Sequence, residues 1–166
     1  SQKSFWTPVC SINNNLSFSD AVSETRRHLL ESVRLRLRSD VPMACCLSGG
    51  VDSAAIVSIA SKVFDTQLTS FSIIDPDDRY NEKKNIMATV KDTGCAHHLV
   101  KIQGLGSLER LQKLIEYHDA PIATLTNFAH SRLSEAINSS GFNVSFSGIS
   151  ADELFTGYYD HFSFHL

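Results

Sequence analysis

The chain has 166 residues, enough for one domain that buries roughly 70% of the surface its unfolded form exposes. Its composition, 42% hydrophobic and 20% charged with ten Phe, excludes a disordered or fibrous chain. A net charge of -3 argues against a nucleic-acid-binding domain, which carries a strong basic excess.

The first element is "SFSDAVSETRRHLLESVRLRLRSDVP". Ser19 is a candidate N-cap, Val22, Leu29, Val33 and Leu37 repeat at helical spacing, and Pro42 follows the end. The cations Arg26, Arg27, Arg34, Arg36 and Arg38 sit late in this helix, where the macrodipole favours them. "MACCL" at 43 to 47 is short, apolar and followed by Gly-Gly, which predicts a buried strand with a helix starting near Val51.

"QLTSFSII" is rich in β-branched and aromatic residues and stops at the turn "DPDD". "NEKKNIMATVKDTG" predicts a helix capped by Gly94. "HHLVKI" predicts a third strand, "SLERLQKLIEYH" and "NFAHSRLSEAINSSG" two more helices, and "NVSFSG" a fourth strand. Strands alternating with helices imply βαβ units, so the predicted fold is α/β, a doubly wound parallel sheet between helical layers. Ligands bind such sheets beyond the carboxyl ends of strands where the strand order reverses. If the first and fourth strands are neighbours, the loops beginning at Ser48 and Ser147 face each other there.

The first loop, "LSGGVDS", suits an oxyanion. Gly49 and Gly50 let main-chain N–H groups approach it, and Ser48 and Ser53 add hydroxyls at a helix start. It matches neither GxxxxGK[ST] nor GxGxxG. Asp52 either complements the helix dipole or, beside phosphate, requires a bridging cation, for which Mg²⁺ is the expected choice. The second loop, "SGISADELFTGYYDHF", repeats the strand, Ser-Gly and helix start, with Asp152 and Glu153 in the first turn. Those acids fit a helix start equally well, but two such loops at one switch point supply two carboxylates to one metal.

"LRLRSDVPMACCLSGGVDSAAI" with "SGISADELFTGYYDHF" resembles the synthetase domain of glutamine-hydrolysing asparagine synthetase, whose loops read SGGxDS and SGxGADELFGGY. "SFSI", "YNEKKNIMATVKDTGCAHH" and "HDAPIA" follow the family's order, and "FWTP" looks like the linker before that domain. The resemblance implies an ATP pyrophosphatase-type fold and an AMP-forming amidation, in which the side-chain carboxylate of aspartate attacks ATP and ammonia displaces AMP. It assigns Ser48, Gly49, Gly50, Asp52 and Ser53 to the pyrophosphate end, and Ser147 of the second loop to the nucleotide site. Asp52 and Asp152 become the catalytic Mg²⁺ ligands, and backbone at Leu47, Ile73 and Gly148 borders the adenosine. Residues 1 to 16 become a linker from a glutaminase domain that would deliver ammonia, and 17 to 166 the start of the synthetase domain. A homodimer of the full-length protein stays open.

Departures from the family pattern are specific. Ile149 stands where Glu is common, Ser150 and Thr156 where Gly is usual, the last two reading as mild changes. Ile149 leaves room for another carboxylate acceptor such as a sugar acid, or for an ATP-binding module without catalysis; a sulfur- or tRNA-modifying relative of the fold is a third reading.

Cys10, Cys45, Cys46 and Cys95 form no CxxC, which suggests buried free thiols in a reducing cytosol. No stretch approaches the ~20 apolar residues of a membrane span, so a cytoplasmic protein with no membrane or nucleic-acid partner is expected. His97 and His98 are adjacent on a strand and face opposite ways, against a shared metal site. Tyr158, Tyr159, His161, Phe162 and Phe164 could stack on a base, pack in the core or meet another part of the protein.

Overall fold

The structure is a computed structural model and describes residues 3–7, 15–74, 77, 79, 81–101 and 108–165. Pro8 of "FWTP", Cys10 and most of "DPDD" lie outside the described residues, as do the side chains of Phe162 and Phe164. The elements run α1 (Phe18–Arg36), β1 (Met43–Cys46), α2 (Val51–Lys62), β2 (Thr69–Ile74), α3 (Lys83–Thr93), β3 (His97–Lys101), α4 (Leu108–His118), α5 (Leu125–Ser139), β4 (Val144–Phe146), α6 (Ala151–Phe155) and α7 (Tyr159–His165). Among the described residues no helix is long and apolar enough to cross a membrane.

Four parallel strands lie in the order β3-β2-β1-β4. The chain moves outward from β1 to β3 and then returns to the far side of β1, so the order reverses between β1 and β4. Ala44 pairs with Thr69 on one side and Ser145 on the other.

The side-chain alternation of β1 sorts its residues onto two faces. Met43 and Cys45 join Val57 and Ala60 of α2, Ile86 of α3, and Phe146. Ala44 and Cys46 point oppositely, with Phe71 of β2 against Leu133 and Ile137 of α5. The strands are therefore covered on both faces, which explains why β1 reads as a continuous apolar run instead of an alternating one. Outer helices add to each layer: α1 packs on α2, and α4 on α5. Arg110 of α4 donates to Ser131 Oγ at 3.1 Å and pairs with Glu135 of α5.

Ser17, not Ser19, caps α1. Its backbone is extended (φ -70°, ψ 159°) and its hydroxyl accepts from the Asp20 amide at 3.2 Å. Ser19 is already helical, its carbonyl accepting from Ser23 Oγ, so it is one turn position too late to serve. Helix α5 also starts two residues before the expected Asn127, because Thr124 is still extended while Leu125 is helical. Gly94 ends α3 in the left-handed region (φ 68°), as its sequence position predicts. Arg27 and Arg34 pair with Glu24 and Glu31 one turn earlier on the exposed face of α1.

Cys45 and Cys95 are buried and Cys46 is half-buried. His97 and His98 do face opposite sides. His97 Nδ1 bonds Ser70 Oγ at 2.8 Å, while the His98 ring stacks on Phe71 at 4.7 Å. The Nε2 of His97 is buried without a hydrogen-bond partner among the described residues.

Half-buried His97 and buried Cys45 each make stability depend on pH. Burial, and secondarily His98, lower the His97 imidazole below its ordinary 6.5, so the unfolded chain takes up that proton first and stability declines as pH falls below 6.5. Burial pushes the Cys45 thiol from 9.0 up to about 12, so the unfolded chain loses that proton first and stability declines between those values. Thermal melts from pH 5 to 11 are expected to show a plateau between 6.5 and 9, and Cys45→Ala to flatten the alkaline side.

Candidate functional site

Helix α2 begins directly behind β1, and its first turn leaves N–H groups with no acceptor inside the helix. Gly50 is its N-cap with extended backbone (φ -80°, ψ 157°) and no side chain to occupy those groups. Asp52 lies in that first turn. The preceding loop is held internally: Ser53 Oγ accepts from Ser48 N at 3.0 Å and lies 2.8 Å from Ser48 Oγ. Ser53 is 4% exposed and its hydroxyl reaches the Ser48 and Gly50 carbonyls at 3.2 and 3.3 Å. It acts here as the tie that fixes the loop, and the Gly50 amide donates to Ser48 Oγ at 3.2 Å, so the donors facing outward are the first-turn amides of α2.

The second loop follows β4. Ser147 Oγ accepts from Ile149 N at 3.2 Å, and Gly148 lies against the start of α2, where an added Cβ would stand 3.0 Å from Ser53 N and 3.2 Å from Asp52 Cβ. Only glycine permits that approach without displacing backbone. The two loops thus touch across the reversal of strand order.

Between them opens a cleft of about 1070 Å³. It is lined by Leu47, Ser48, Asp52, Ser53, Ile73, Ser147, Gly148 and Asp152, so eight of the predicted site residues surround one space. Gly49 and Gly50 sit in the loop at its edge. The Leu47 carbonyl is held by the Ser72 hydroxyl and its amide by Phe71 O at 2.9 Å, which keeps the strand end rigid. The far wall comes from α5, through Phe128, His130 and Leu133. Sequence periodicity marked these as helical but could not tell a cleft-facing residue from a core one.

Glu82 was not anticipated. It stands just before α3, lines the same cleft, and its Oε2 accepts from Gly49 N at 3.0 Å. Cys46 also borders the cleft; burial raises its thiol, with a Ser145 hydrogen bond opposing, so it is no ready nucleophile.

Helix α6 has left-handed residues at both ends, Ser150 (φ 78°) and Thr156 (φ 59°). These are the positions where the related pattern has Gly, and the backbone explains that choice. The substitutions are therefore not mild: a Cβ in this region costs about 1 kcal/mol or more, and Thr is β-branched. Ser150→Gly and Thr156→Gly are each expected to raise the melting midpoint by about 2–4 °C, read by calorimetry. Gly157, next along, accommodates the Asp152 carboxylate; a Cβ there would meet Oδ1 at 1.8 Å.

Ile149 is 68% exposed at the cleft rim. Of the aromatic tail, Tyr158 donates to Glu153 Oε1 at 2.9 Å and Tyr159 is 84% exposed; neither joins the core nor lines the cleft.

Among the described residues no group of three or more His, Cys, Asp or Glu could hold a metal. Asp52 and Asp152 nevertheless line one cleft beside a helix start. That set suits Mg²⁺, which takes one or two carboxylates and completes its octahedron with substrate phosphates and water instead of an all-protein cage.

A doubly wound sheet with a glycine-serine loop, a helix start and carboxylates at its reversal defines a nucleotide-type site. The asparagine synthase family model matches residues 24–165, and the chain belongs to that family. It is 27% identical over 95% of its length to amidase chyE of Penicillium rubens, covering 26% of that protein. It is 30% identical over 87% to amidase chry2 of Gibberella zeae, covering 24%, and 33% identical over 82% to asparagine synthetase [glutamine-hydrolyzing] 1 of Bacillus subtilis, covering 21%. The chain thus spans about a quarter of the length of these relatives. The fold is shared with the NH3-dependent NAD synthetase of Campylobacter jejuni, at TM-score 0.55 and 17% identity over 82% of this chain and 60% of that one.

Proposed function

We propose that the protein containing this chain is an AMP-forming, ATP-dependent amidotransferase, with aspartate as the acceptor and ammonia from a glutaminase domain as the nitrogen source. In this reading residues 1 to 16 link that domain to a synthetase domain that begins near residue 17, and the protein works in the cytoplasm, where ATP and Mg²⁺ are available. The observation that carries it is the convergence of Ser48, Asp52, Ser147 and Asp152 on one cleft at the strand reversal.

The acceptor carboxylate attacks the α-phosphorus of ATP, the bond to the β-phosphate breaks, and pyrophosphate leaves. Ammonia then attacks the acyl carbon, loses a proton and expels AMP. The first-turn amides of α2 and the Gly49-Gly50 backbone bind the departing pyrophosphate, fixed donors at the place where charge accumulates. Backbone at Leu47, Ile73 and Gly148 holds the adenosine. Asp52 and Asp152 would hold Mg²⁺, which supplies countercharge to the phosphates.

Ile149 can neither take the proton from the incoming nitrogen nor carry charge. This residue, together with relatives named amidases, favours a second reading in which the acceptor is a carboxylate other than aspartate.

The test is product analysis on the full polypeptide that carries this chain, supplied with ATP, Mg²⁺ and ammonia, with and without aspartate. Aspartate-dependent AMP and pyrophosphate are expected. ADP and phosphate would overturn the class, and AMP only with another acid would select the second reading.

A further inference from the structure

Among the described residues, the hydrogen bonds to Gly49 come from the start of α3. Glu82 Oε2 accepts from the Gly49 amide at 3.0 Å, and Asn85 Nδ2 reaches the Gly49 carbonyl at 3.5 Å. The contact is close enough that a Cβ on Gly49 would stand 2.5 Å from Glu82 Cβ. Its placement is also fixed from behind, because Ile86, 1% exposed in the core, donates its amide to the Glu82 carbonyl at 3.1 Å. A carboxylate oxygen therefore occupies a main-chain donor of the loop that, on the reading above, is meant for phosphate.

Charge makes this arrangement consequential. Glu82, Asp52 and Asp152 all line the cleft, and no Lys or Arg does among the described residues. An entering polyphosphate thus meets three carboxylates, one of them on the donor it needs. Mg²⁺, which Asp52 and Asp152 would hold, would offset those two charges but would not free the Gly49 amide.

We infer that Glu82 is an internal stand-in for phosphate, which holds the Gly49 loop in its binding shape in the free protein and is expelled when the polyphosphate of the nucleotide enters. The inference rests on the nucleotide reading of the cleft. Binding then carries a cost, the loss of one charged hydrogen bond and the approach of like charges, that a neutral residue at 82 would remove. The exposed position of Glu82 gives the displaced carboxylate a route into water.

Calorimetric titration of the protein with sodium pyrophosphate in EDTA, and separately with MgATP, tests this. Glu82→Gln and Glu82→Ala are each expected to bind metal-free pyrophosphate roughly tenfold more tightly than the unaltered chain, by removal of one like charge at close range. The Gly49 amide resonance, followed by nitrogen-proton correlation spectra, is expected to shift on Glu82→Ala alone and to shift again on adding pyrophosphate. Those spectra also report whether each variant is folded. Unchanged or weaker pyrophosphate binding in both variants would overturn the stand-in role. Weaker MgATP binding with unaltered pyrophosphate binding would overturn it too, in favour of Glu82 as a metal ligand. If neither the unaltered chain nor the variants bind either ligand, the nucleotide reading fails and this inference with it.

Discussion

Asparagine in place of Asp52 is expected to reduce AMP formation by about 10²- to 10³-fold, the range for losing one fixed electrostatic partner of a charged transition state. The side chain keeps its size, its place in the first turn of α2 and its packing against Gly148, so only charge is removed. A carboxylate facing polyphosphate is repelled unless a divalent cation lies between them. The loss is therefore expected to appear together with a rise in the Mg²⁺ concentration needed for half-maximal ATP binding. If Asp52 only complemented the dipole of α2, the same change would lower stability by about 0.3–1 kcal/mol and leave the Mg²⁺ dependence untouched. Melting curves beside Mg²⁺ titrations separate the two roles.

The fold was legible because its two signals reinforce each other. Short apolar runs ending in Gly, Ser or Asp alternate with segments of helical spacing, and β1 to β4 all fall where those runs predict, with ends shifted by one or two residues. The adjacency of β1 and β4 was only a condition in the sequence, and the strand pairing supplies it. Less legible were features that depend on which of several equivalent residues wins. Ser17 and Ser19 are alike in sequence, and only backbone geometry makes the first the cap. The left-handed residues Ser150 and Thr156 carry no turn signal of their own; their strain is visible only beside a pattern that has glycine there. Glu82 lies 33 residues from its partner Gly49 and reads as one more polar residue at a helix start.

Three glycines have a common role that local turn chemistry does not explain. Gly49 leaves room for Glu82, Gly148 for Asp52 and Gly157 for Asp152; at each, an added Cβ would fall within 3.2 Å of an acidic side chain. The acids of the cleft are therefore positioned by missing side chains, on a facing element for Glu82 and Asp52 and on the same turn for Asp152, as well as by their own elements. The hydrogen bond from Gly157 N to Asp152 O at 2.9 Å closes the turn that brings Gly157 back over the carboxylate.

Gly157→Ala is accordingly expected to act on activity through Asp152. The new Cβ would stand 1.8 Å from Oδ1, 2.6 Å from Cγ and 2.8 Å from Cβ of Asp152. The last of these cannot be relieved by rotating the side chain alone, so the carboxylate must leave its place in the cleft wall. The expected result is a fall in AMP formation comparable to that of Asp152→Asn, again about 10²-fold. Because α6 contributes no buried residue, the melting midpoint is expected to change little. The decisive comparison is the double variant Gly157→Ala, Asp152→Asn. If the glycine matters only as space for that carboxylate, the double variant should be no worse than either single one, a coupling that cancels the second loss. Additive losses would show instead that Gly157 supports the site independently of Asp152, through the backbone of the second loop.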